Sequence, residues 1–577
     1  MPVISPRARL LSATAIACGT LSIGATAARA DCQPDPPNGA PVVTCKGTDD
    51  NGFAAPPADD LTVEVTGNIN KPIPGNPNGA AISFDDNSAN KALDNAGSIN
   101  GYVTAIGNSG NVTIFQRGSL NGGVTITGTG TNTLVAEKTI NNRVSLEGAS
   151  NTVDLSSNLN KGLELTGSEF NHVVIHSGGG HVNDVFAITG DGSNWVDNYG
   201  KINADATIDG DGTSVFINRS SGAVNGNLQS LGASEDFFDN SGLLNKGVIQ
   251  GDAKDVLINR EGGTINEPVL QGDGADSFAM LGGLVNKNVQ QGDGSDRAWI
   301  HGGKINEGLA AGAGKDRLLW DAGRIENGGI DMGGDDDIAT FRGLTAEILK
   351  SNLKFDGGLG VDALHWEGTK GAVVSRYLRW ETFDLQSGSE LTFDGTLTMG
   401  DSGTETGVLH IDPTSTVYAG GRGAVALVPA LNDNLDGGIW NAGTIDLTNG
   451  GGQPQDSLRI RGRYYGDGGS LKLDTKLESD GAPSDRLIVD GGDAFGDTGI
   501  VVRNADGAGA ETQQNGILLV SAQNGAITQD DAFSLAQPAV AGPYEYYLFR
   551  GGKDPDDAET ENNWYLRTER PSPPRNR

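Results

Sequence analysis

Acid-rich turns recur in the middle of the chain, and their carboxylates are the residues best suited to holding a cation. Each turn follows a glycine, as in Gly292-Asp-Gly-Ser-Asp296, and the turns return about every twenty residues. Carboxylate oxygens are the ligands that calcium prefers, whereas bare stacked carboxylates repel one another. Solubility alone is the simpler explanation of this acid. The hypothesis to test is a calcium edge formed by Asp276, Asp296, Asp316 and Asp336.

Two other groups could do chemistry, and the sequence argues against both. His172, His176 and His181 lie within ten residues and could ligate a metal, but the alternating side-chain directions of strands work against their convergence. Gly400-Asp-Ser-Gly403 resembles the nucleophile segment of chymotrypsin-like serine proteases, yet no suitable histidine segment precedes it. A catalytic triad needs mutual geometry. We therefore expect no catalytic residue and no cofactor other than the candidate calcium.

An asparagine series gives the clearest structural signal. Its members return every 19 to 23 residues between 100 and 306, and such a fixed period is typical of a solenoid, in which each repeat is one turn. We expect a ladder at an inside corner that satisfies the backbone of the turns; the alternative is a row that binds a ligand. The most regular part of the predicted ladder comprises Asn203, Asn225, Asn245, Asn266, Asn286 and Asn306.

Composition and local patterning predict an all-β chain. Glycine accounts for 88 of 577 residues, which disfavours helix interiors, and Val, Ile and Leu occur in short alternating runs that indicate strands. The unit from Asp239 to Gly251 contains three such runs separated by turn residues. Three short strands in about twenty residues match one turn of a single-stranded parallel β-helix.

The N-terminus carries the features of an exported protein. Arg7 and Arg9 precede an apolar stretch, and the small-residue site that follows predicts a signal peptide over 1–30 with cleavage after Ala30. Cys32 and Cys45 then form a predicted disulfide. We assign 31–60 to an N-terminal lead-in, 61–343 to β-helix repeats and 344–460 to a less regular stem.

The net charge of −33 opposes binding to nucleic acid or to an anionic membrane. The acidic residues are spread over the whole repeat region rather than concentrated in one tail. We expect no nucleic-acid partner.

The C-terminal region, 461–569, carries an ordered set of motifs. They include Gly462-Arg-Tyr-Tyr-Gly-Asp-Gly-Gly469, Ser484-Asp-Arg-Leu-Ile-Val-Asp-Gly-Gly492 and Asn563-Trp-Tyr-Leu-Arg567. The series resembles the autochaperone segment of pertactin-like type V autotransporters. The resemblance implies a right-handed β-helix with a C-terminal cap that folds early and templates the turns before it. It also implies passage through the periplasm, dependence on the outer-membrane translocation machinery, and a final location at the cell surface or outside the cell.

The sequence departs from that family where it ends. The chain stops at Arg577, after the tail 570–577, without the translocator β-barrel of the family, so we expect a separate or missing translocator. The predicted function is non-enzymatic adhesion, or another interaction with an unidentified molecule of a host or neighbouring cell. The alternatives are a pectin-lyase-like enzyme that acts on polysaccharides, and a non-functional remnant of a truncated autotransporter.

Overall fold

A computed structural model describes most of the chain. The described residues are 32–33, 41–56, 60–350, 353–404, 407–430, 435–554 and 556–569. The predicted signal peptide with its cleavage site at Ala30, and the tail 570–577, lie outside them. Strands dominate the described residues, so the all-β prediction is confirmed. The short 3-10 helices are Ile348–Lys350, Val374–Arg376 and Thr448–Gly450.

The strands form a parallel β-solenoid of about 20 turns with a spacing of about 21 residues, which confirms the predicted β-helix. Each regular turn contributes one strand to each of three sheets. A strand pairs in register with its equivalents one turn earlier and one turn later, as Phe216 does with Val196 and Phe238. Backbone donors and acceptors are therefore satisfied between turns rather than within them.

Sheet 1 contains the longer strands and presents a broad outer face. It consists of Val42–Cys45, Leu61–Val65, Lys91–Asn95, Val112–Gln116, Thr131–Ala136, Ser193–Asn198, Ser214–Asn218, Asp236–Asn240, Val256–Asn259, Ser277–Met280, Ile338–Arg342, Ala363–Glu367, Thr382–Gln386, Val408–Ile411 and Gly438–Asn441.

Sheet 2 is built mostly from strands of two residues. It consists of Thr48–Asp49, Asn68–Ile69, Ser98–Ile99, Ser119–Leu120, Asn158–Leu159, His181–Val182, Lys201–Ile202, Ala223–Val224, Leu243–Leu244, Thr264–Ile265, Leu284–Val285, Lys370–Gly371, Glu390–Thr392, Thr416–Tyr418, Thr444–Asp446 and Phe533–Leu535.

Sheet 3 closes each turn. It consists of Phe53–Ala54, Ala80–Ser83, Tyr102–Asn108, Val124–Gly128, Val185–Thr189, Ala206–Asp209, Leu228–Ser230, Val248–Ile249, Val269–Leu270, Val289–Asp293, Leu309–Ala313, Gly329–Gly334, Lys354–Asp356, Tyr377–Leu378, Thr396–Met399, Ala424–Pro429 and Ile517–Gln523. Longer strands bend from one sheet into the next at Val144–Leu155, Gly162–Ile175, Arg297–Ile305, Arg317–Ile325, Ser457–Thr475 and Arg486–Asn504.

Both ends of the solenoid depart from the parallel pattern. At the N-terminus, Cys32–Gln33 runs antiparallel to Val42–Cys45, and a disulfide joins Cys32 to Cys45. At the C-terminus, antiparallel strands cover the last turns; they are Ala539–Ala541, Tyr544–Arg550 and Trp564–Arg567, beside the short parallel strand Ile527–Thr528. Each end of the β-helix is thus covered by antiparallel strands rather than by another parallel turn. Among the described residues, no helix is long and apolar enough to cross a membrane.

The core is one continuous interior column. Inward positions carry stacked Val, Ile and Leu through most of the repeats. Between Trp320 and Phe393 the column contains a group of aromatic rings, with centroids 5.4 Å apart between Trp320 and Phe341 and 5.3 Å apart between Phe355 and Tyr377.

Gly294 and Gly314 lie at one corner of consecutive turns, where the two backbones approach closely. Gly314 has φ +126°, and a Cβ there would lie 1.6 Å from the carbonyl oxygen of Gly294. The substitution Gly314→Ala should lower the free energy of unfolding by about 3 kcal/mol or more, because the backbone conformation and the overlap both oppose it. Chemical denaturation measures this change. Gly334→Ala, where a Cβ meets nothing within 4 Å, is the matched control, and its change should stay within about 1 kcal/mol.

Candidate functional site

The predicted asparagine ladder lies on the outside of the corner that follows sheet 2. Each amide Nδ2 donates to the Oδ1 of the equivalent asparagine one turn earlier, at 2.6 Å from Asn225 to Asn203 and 2.7 Å from Asn286 to Asn266. The inside-corner location was wrong. The apolar residue just before each asparagine, such as Val224, points inward, and strand alternation turns its neighbour outward. The same Asn-to-Asn hydrogen bonds link the other members of the ladder, from Asn203 to Asn306.

Two further amide rows lie inside the β-helix, and sequence reasoning missed both. One runs through Asn198, Asn218, Asn240 and Asn259, with donor–acceptor distances of 2.8 to 2.9 Å. The other runs through Asn132, Asn151, Asn171 and Asn194 at similar distances. Their spacing of about twenty residues was the available signal. Each row satisfies buried amides by stacking identical groups.

The second inner row continues with carboxyl groups. The pairing leads from Asn194 through Ser214 to Asp236, and the following members are Asp255, Asp276, Asp296, Asp316, Asp337 and Asp362. We call these seven aspartates the carboxyl row. From Asp236 to Asp337, each backbone N–H donates to the Oδ1 of the aspartate one turn later, at 2.7 Å from Asp276 to Asp296, and the N–H of Asp362 donates to Oε2 of Glu381. All seven side chains are buried.

The carboxyl row contains three of the four residues that the sequence assigned to a calcium edge. Asp276, Asp296 and Asp316 stack in consecutive turns. Asp336 lies outside the row: it is exposed, and its Oδ2 accepts a hydrogen bond from Lys315 at 2.7 Å. Asp337 takes the inner position instead, because a shift of one residue along a strand reverses the side-chain direction.

The second oxygen of each carboxyl group has no hydrogen-bond partner among the described residues, although it is buried. Desolvation, followed by repulsion from neighbouring carboxyl groups, raises the pKa of Asp276 and Asp316 to about 7, of Asp296 to about 6 and of Asp337 to about 8. The row therefore binds protons near neutral pH. Among the described residues, no group of three or more His, Cys, Asp or Glu is arranged to hold a metal ion. The calcium edge stays a prediction.

The predicted histidine group is spread over two sheets. His172 lies on the outer face of sheet 1 between Thr152 and Trp195, and His181 belongs to a strand of sheet 2. His176 contacts the carboxylate of Asp154, with Nε2 and Oδ1 2.7 Å apart. The three side chains lie in separate surroundings.

Gly400-Asp-Ser-Gly403 forms a turn whose aspartate organises the backbone. The Asp401 carboxylate accepts hydrogen bonds from the N–H groups of Gly403 and Thr404 at 2.6 and 2.7 Å. No hydrogen bond joins Ser402 to a histidine within the described residues. The resemblance to a protease segment therefore has a local explanation as an Asx turn.

A histidine–aspartate–histidine cluster on the outer face of sheet 1 was not predicted. The Asp384 carboxylate contacts Nδ1 of His365 at 2.8 Å and Nδ1 of His410 at 2.6 Å. These contacts hold the pKa of Asp384 well below its usual range despite desolvation, and the Asp384 hydrogen bond raises the pKa of His365. Trp440 packs beside His410, with ring centroids 4.8 Å apart. Residues 365, 384 and 410 become neighbours only because consecutive turns stack.

The C-terminal cap contains a packed aromatic group. Tyr464 stacks on Phe533 with centroids 5.6 Å apart, and Phe533 meets Trp564 edge-on at 5.4 Å. The Tyr464 hydroxyl reaches Oγ1 of Thr498 at 2.9 Å. Of the ten aromatic side chains between residues 461 and 569, five are buried: Tyr464, Phe533, Tyr546, Trp564 and Tyr565. The cap thus buries a large aromatic area.

Comparisons with known proteins agree with this arrangement. The family described as Autochaperone Domain Type 1 matches residues 438–548. The chain is 32% identical over 211 residues to the Adhesin BmaC autotransporter of Brucella suis biovar 1 (strain 1330), and 36% identical over 110 residues to the Autotransporter adhesin AIDA-I of Escherichia coli. These matches cover 32% and 19% of this chain, but only 6% and 8% of the relatives.

The fold, the cap and the relatives together point to one class of protein: exported surface β-helices that carry an autochaperone segment. The chain resembles the passengers of autotransporters, with its autochaperone match at 438–548. Its destination is the cell surface or outer membrane, and the autotransporter family that it resembles implies export through the outer-membrane translocation machinery.

The carboxyl row predicts an unusual dependence of stability on pH. Because the folded-state pKa values lie above the ordinary 3.8, the stabilisation is complete below about pH 4 and is lost as pH rises through about 6 to 8. The double substitution Asp296→Asn with Asp316→Asn should reproduce the amide ladder found earlier in the same row. We expect it to raise the free energy of unfolding by about 2 kcal/mol at pH 8 and to have little effect at pH 4.5. Thermal melts at both pH values measure this.

Asp336→Asn is the control, since that carboxylate is exposed. An equal effect of the double variant at pH 4.5 and pH 8 would contradict the protonated row. The same melts with added calcium test the calcium edge. A calcium-dependent rise in Tm that the double variant abolishes would support that edge, and the absence of any rise would remove it.

Proposed function

We propose that this passenger is non-enzymatic and acts in adhesion or another surface interaction through the outer faces of its shaft. The observation that carries the proposal is the outer face of sheet 1, where Trp195, Trp299 and Trp440 are 38%, 40% and 46% exposed. Exposed tryptophan is enriched in binding surfaces because it combines a large apolar area with a polar N–H. The adhesin names of two relatives support the same function.

Adhesion can be tested with beads coated with the purified chain. We expect the beads to bind host epithelial cells or bacteria, or to aggregate with one another, and the double substitution Trp195→Ser with Trp440→Ser to weaken that binding about tenfold or more. Leu231→Ser, which removes an exposed apolar side chain from a turn after sheet 3, is the control. Wild-type beads that bind no surface would contradict the function.

An enzymatic alternative has one observation in its favour. The cluster of Asp384 and His410 lines a shallow cavity of about 290 Å³ together with Trp440 and Tyr465, and a His–Asp pair can serve as a general base. Incubation with pectins and other acidic polysaccharides, followed by detection of products, separates the two functions. The adhesive function predicts no product. Products that Asp384→Asn abolishes would establish the enzyme.

We further propose that the C-terminal cap nucleates folding of the shaft. A solenoid pays a high entropic cost for its first turn and adds later turns more easily. The cap contains the packed rings of Tyr464, Phe533 and Trp564. Its strand Arg486–Asn504 pairs with Ser457–Thr475 along nearly its whole length. A preformed edge of that length offers the preceding turns a template.

Refolding kinetics test this nucleation. Trp564→Ala removes a buried ring and should slow refolding of the full chain about tenfold or more after dilution from denaturant. Phe238→Ala, an equivalent truncation in the shaft, should mainly accelerate unfolding. Tyrosine and tryptophan fluorescence follows both phases. Nucleation from the cap is contradicted if Phe238→Ala slows refolding as much as Trp564→Ala does.

A further inference from the structure

A shallow cavity of about 530 Å³ opens on the outer face of sheet 1 in the last regular repeats of the shaft. Four consecutive strands form it: Ser277–Met280, Arg297–Ile305, Arg317–Ile325 and Ile338–Arg342. Their register aligns two outward rows, one made of Ser277, Arg297, Arg317 and Ile338 and the other of Ala279, Trp299, Leu319 and Thr340. We call this cavity the arginine cleft.

Two guanidinium groups in the arginine cleft lack acidic partners. Arg297 and Arg317 are exposed neighbours in adjacent turns, and among the described residues neither forms an ion pair. On the same sheet face, by contrast, Arg219 pairs with Asp197 and Arg260 with Asp239. Two stacked, unpaired cations in a chain of net charge −33 form a local positive site, and their mutual repulsion favours an anionic ligand.

The cleft also contains a tryptophan held in a fixed position. Trp299 donates from Nε1 to Oδ2 of Asp321 at 3.3 Å, and its ring lies 4.9 Å from that of His301. His301 in turn contacts Oδ1 of Asp321 through Nδ1 at 2.8 Å. A half-exposed indole restrained in this way loses little conformational freedom when a ligand packs against it.

We propose that the arginine cleft binds an acidic glycan, and this inference rests on the surface-interaction function proposed above. An indole packs well against the apolar C–H face of a sugar ring. The guanidinium groups of Arg297 and Arg317 can each donate two parallel hydrogen bonds to a carboxylate or sulfate. Adjacent strands lie about 4.8 Å apart, so the pair can hold one anionic group between them or two on successive sugars.

The surroundings favour a glycan over nucleic acid. A nucleic acid requires a continuous basic track along its backbone, whereas the third arginine that lines the cleft, Arg342, is paired with Glu367. The rest of the shaft is strongly acidic and would repel a long polyanion. The cleft is open and shallow, and its volume suits one or two sugar rings.

Isothermal titration of the purified full chain tests the proposal. The probes are sialyllactose, a galacturonic acid oligomer and a sulfated disaccharide, with lactose as the neutral probe and a short single-stranded DNA as the competing polyanion. We expect at least one acidic glycan to bind, no binding of lactose or DNA, and weaker binding in higher salt. Arg317→Gln, Arg297→Gln and Trp299→Ala should each weaken binding about tenfold or more.

Arg143→Gln removes the same charge from a distant turn, where Arg143 pairs with Glu164, and should leave the affinity unchanged. All four substitutions lie on the surface, and circular dichroism melts confirm that each variant folds. Binding of none of the acidic probes, binding of DNA in preference to glycans, or affinities unchanged in the arginine variants would each overturn the proposal. The bead assay distinguishes failure of the cleft proposal from failure of the adhesive function. Beads that adhere equally well with Arg297→Gln and Arg317→Gln would show adhesion that does not depend on the arginine cleft.

Discussion

In-register pairing between consecutive turns is the constraint on which the rest of the structure depends. Every residue of the shaft has copies of its own position about 4.8 Å above and below. A position can therefore hold only side chains that tolerate their own repetition. Aliphatic groups do so by packing, amides by donating to one another as in Asn198 and Asn218, and buried carboxyl groups by binding protons. The same constraint brings His365, Asp384 and His410 together on one surface.

The amino-acid sequence predicts the period and the architecture well, because asparagine and glycine recur at the corners that every turn must make. It predicts poorly which residues of a short strand point into the core. Whether Asn225 points inward or outward depends on which of two residues in a short strand faces the core. The same single-residue uncertainty separates Asp336, which is exposed, from Asp337, which is buried. Strand alternation allows two assignments of inward and outward residues, and only the packing of the core decides between them.

Sites formed by side chains of adjacent turns could not be predicted from local sequence motifs. Arg297 and Arg317 are ordinary surface arginines when read along the chain, and their shared lack of acidic partners emerges only from the register of the strands. The aromatic part of the core was not predicted either. It begins at Trp320 in the last regular repeats and returns in the cap at Tyr464, whereas the buried hydrophobic residues between Phe393 and Tyr464 are aliphatic or methionine. Which aromatic side chains point inward depends on the register of the strands.

Distances along the outer asparagine ladder test the central claim of stacked turns most directly. Spin labels at Asn121 and Asn203, four ladder steps apart, should be separated by about 19 Å, and labels at Asn121 and Asn286, eight steps apart, by about 38 Å. Pulsed electron–electron double resonance on the full chain measures both pairs. A continuous β-helix requires a distance that grows in proportion to the number of turns. Equal separations, or a shorter distance for the second pair, would contradict a continuous β-helix.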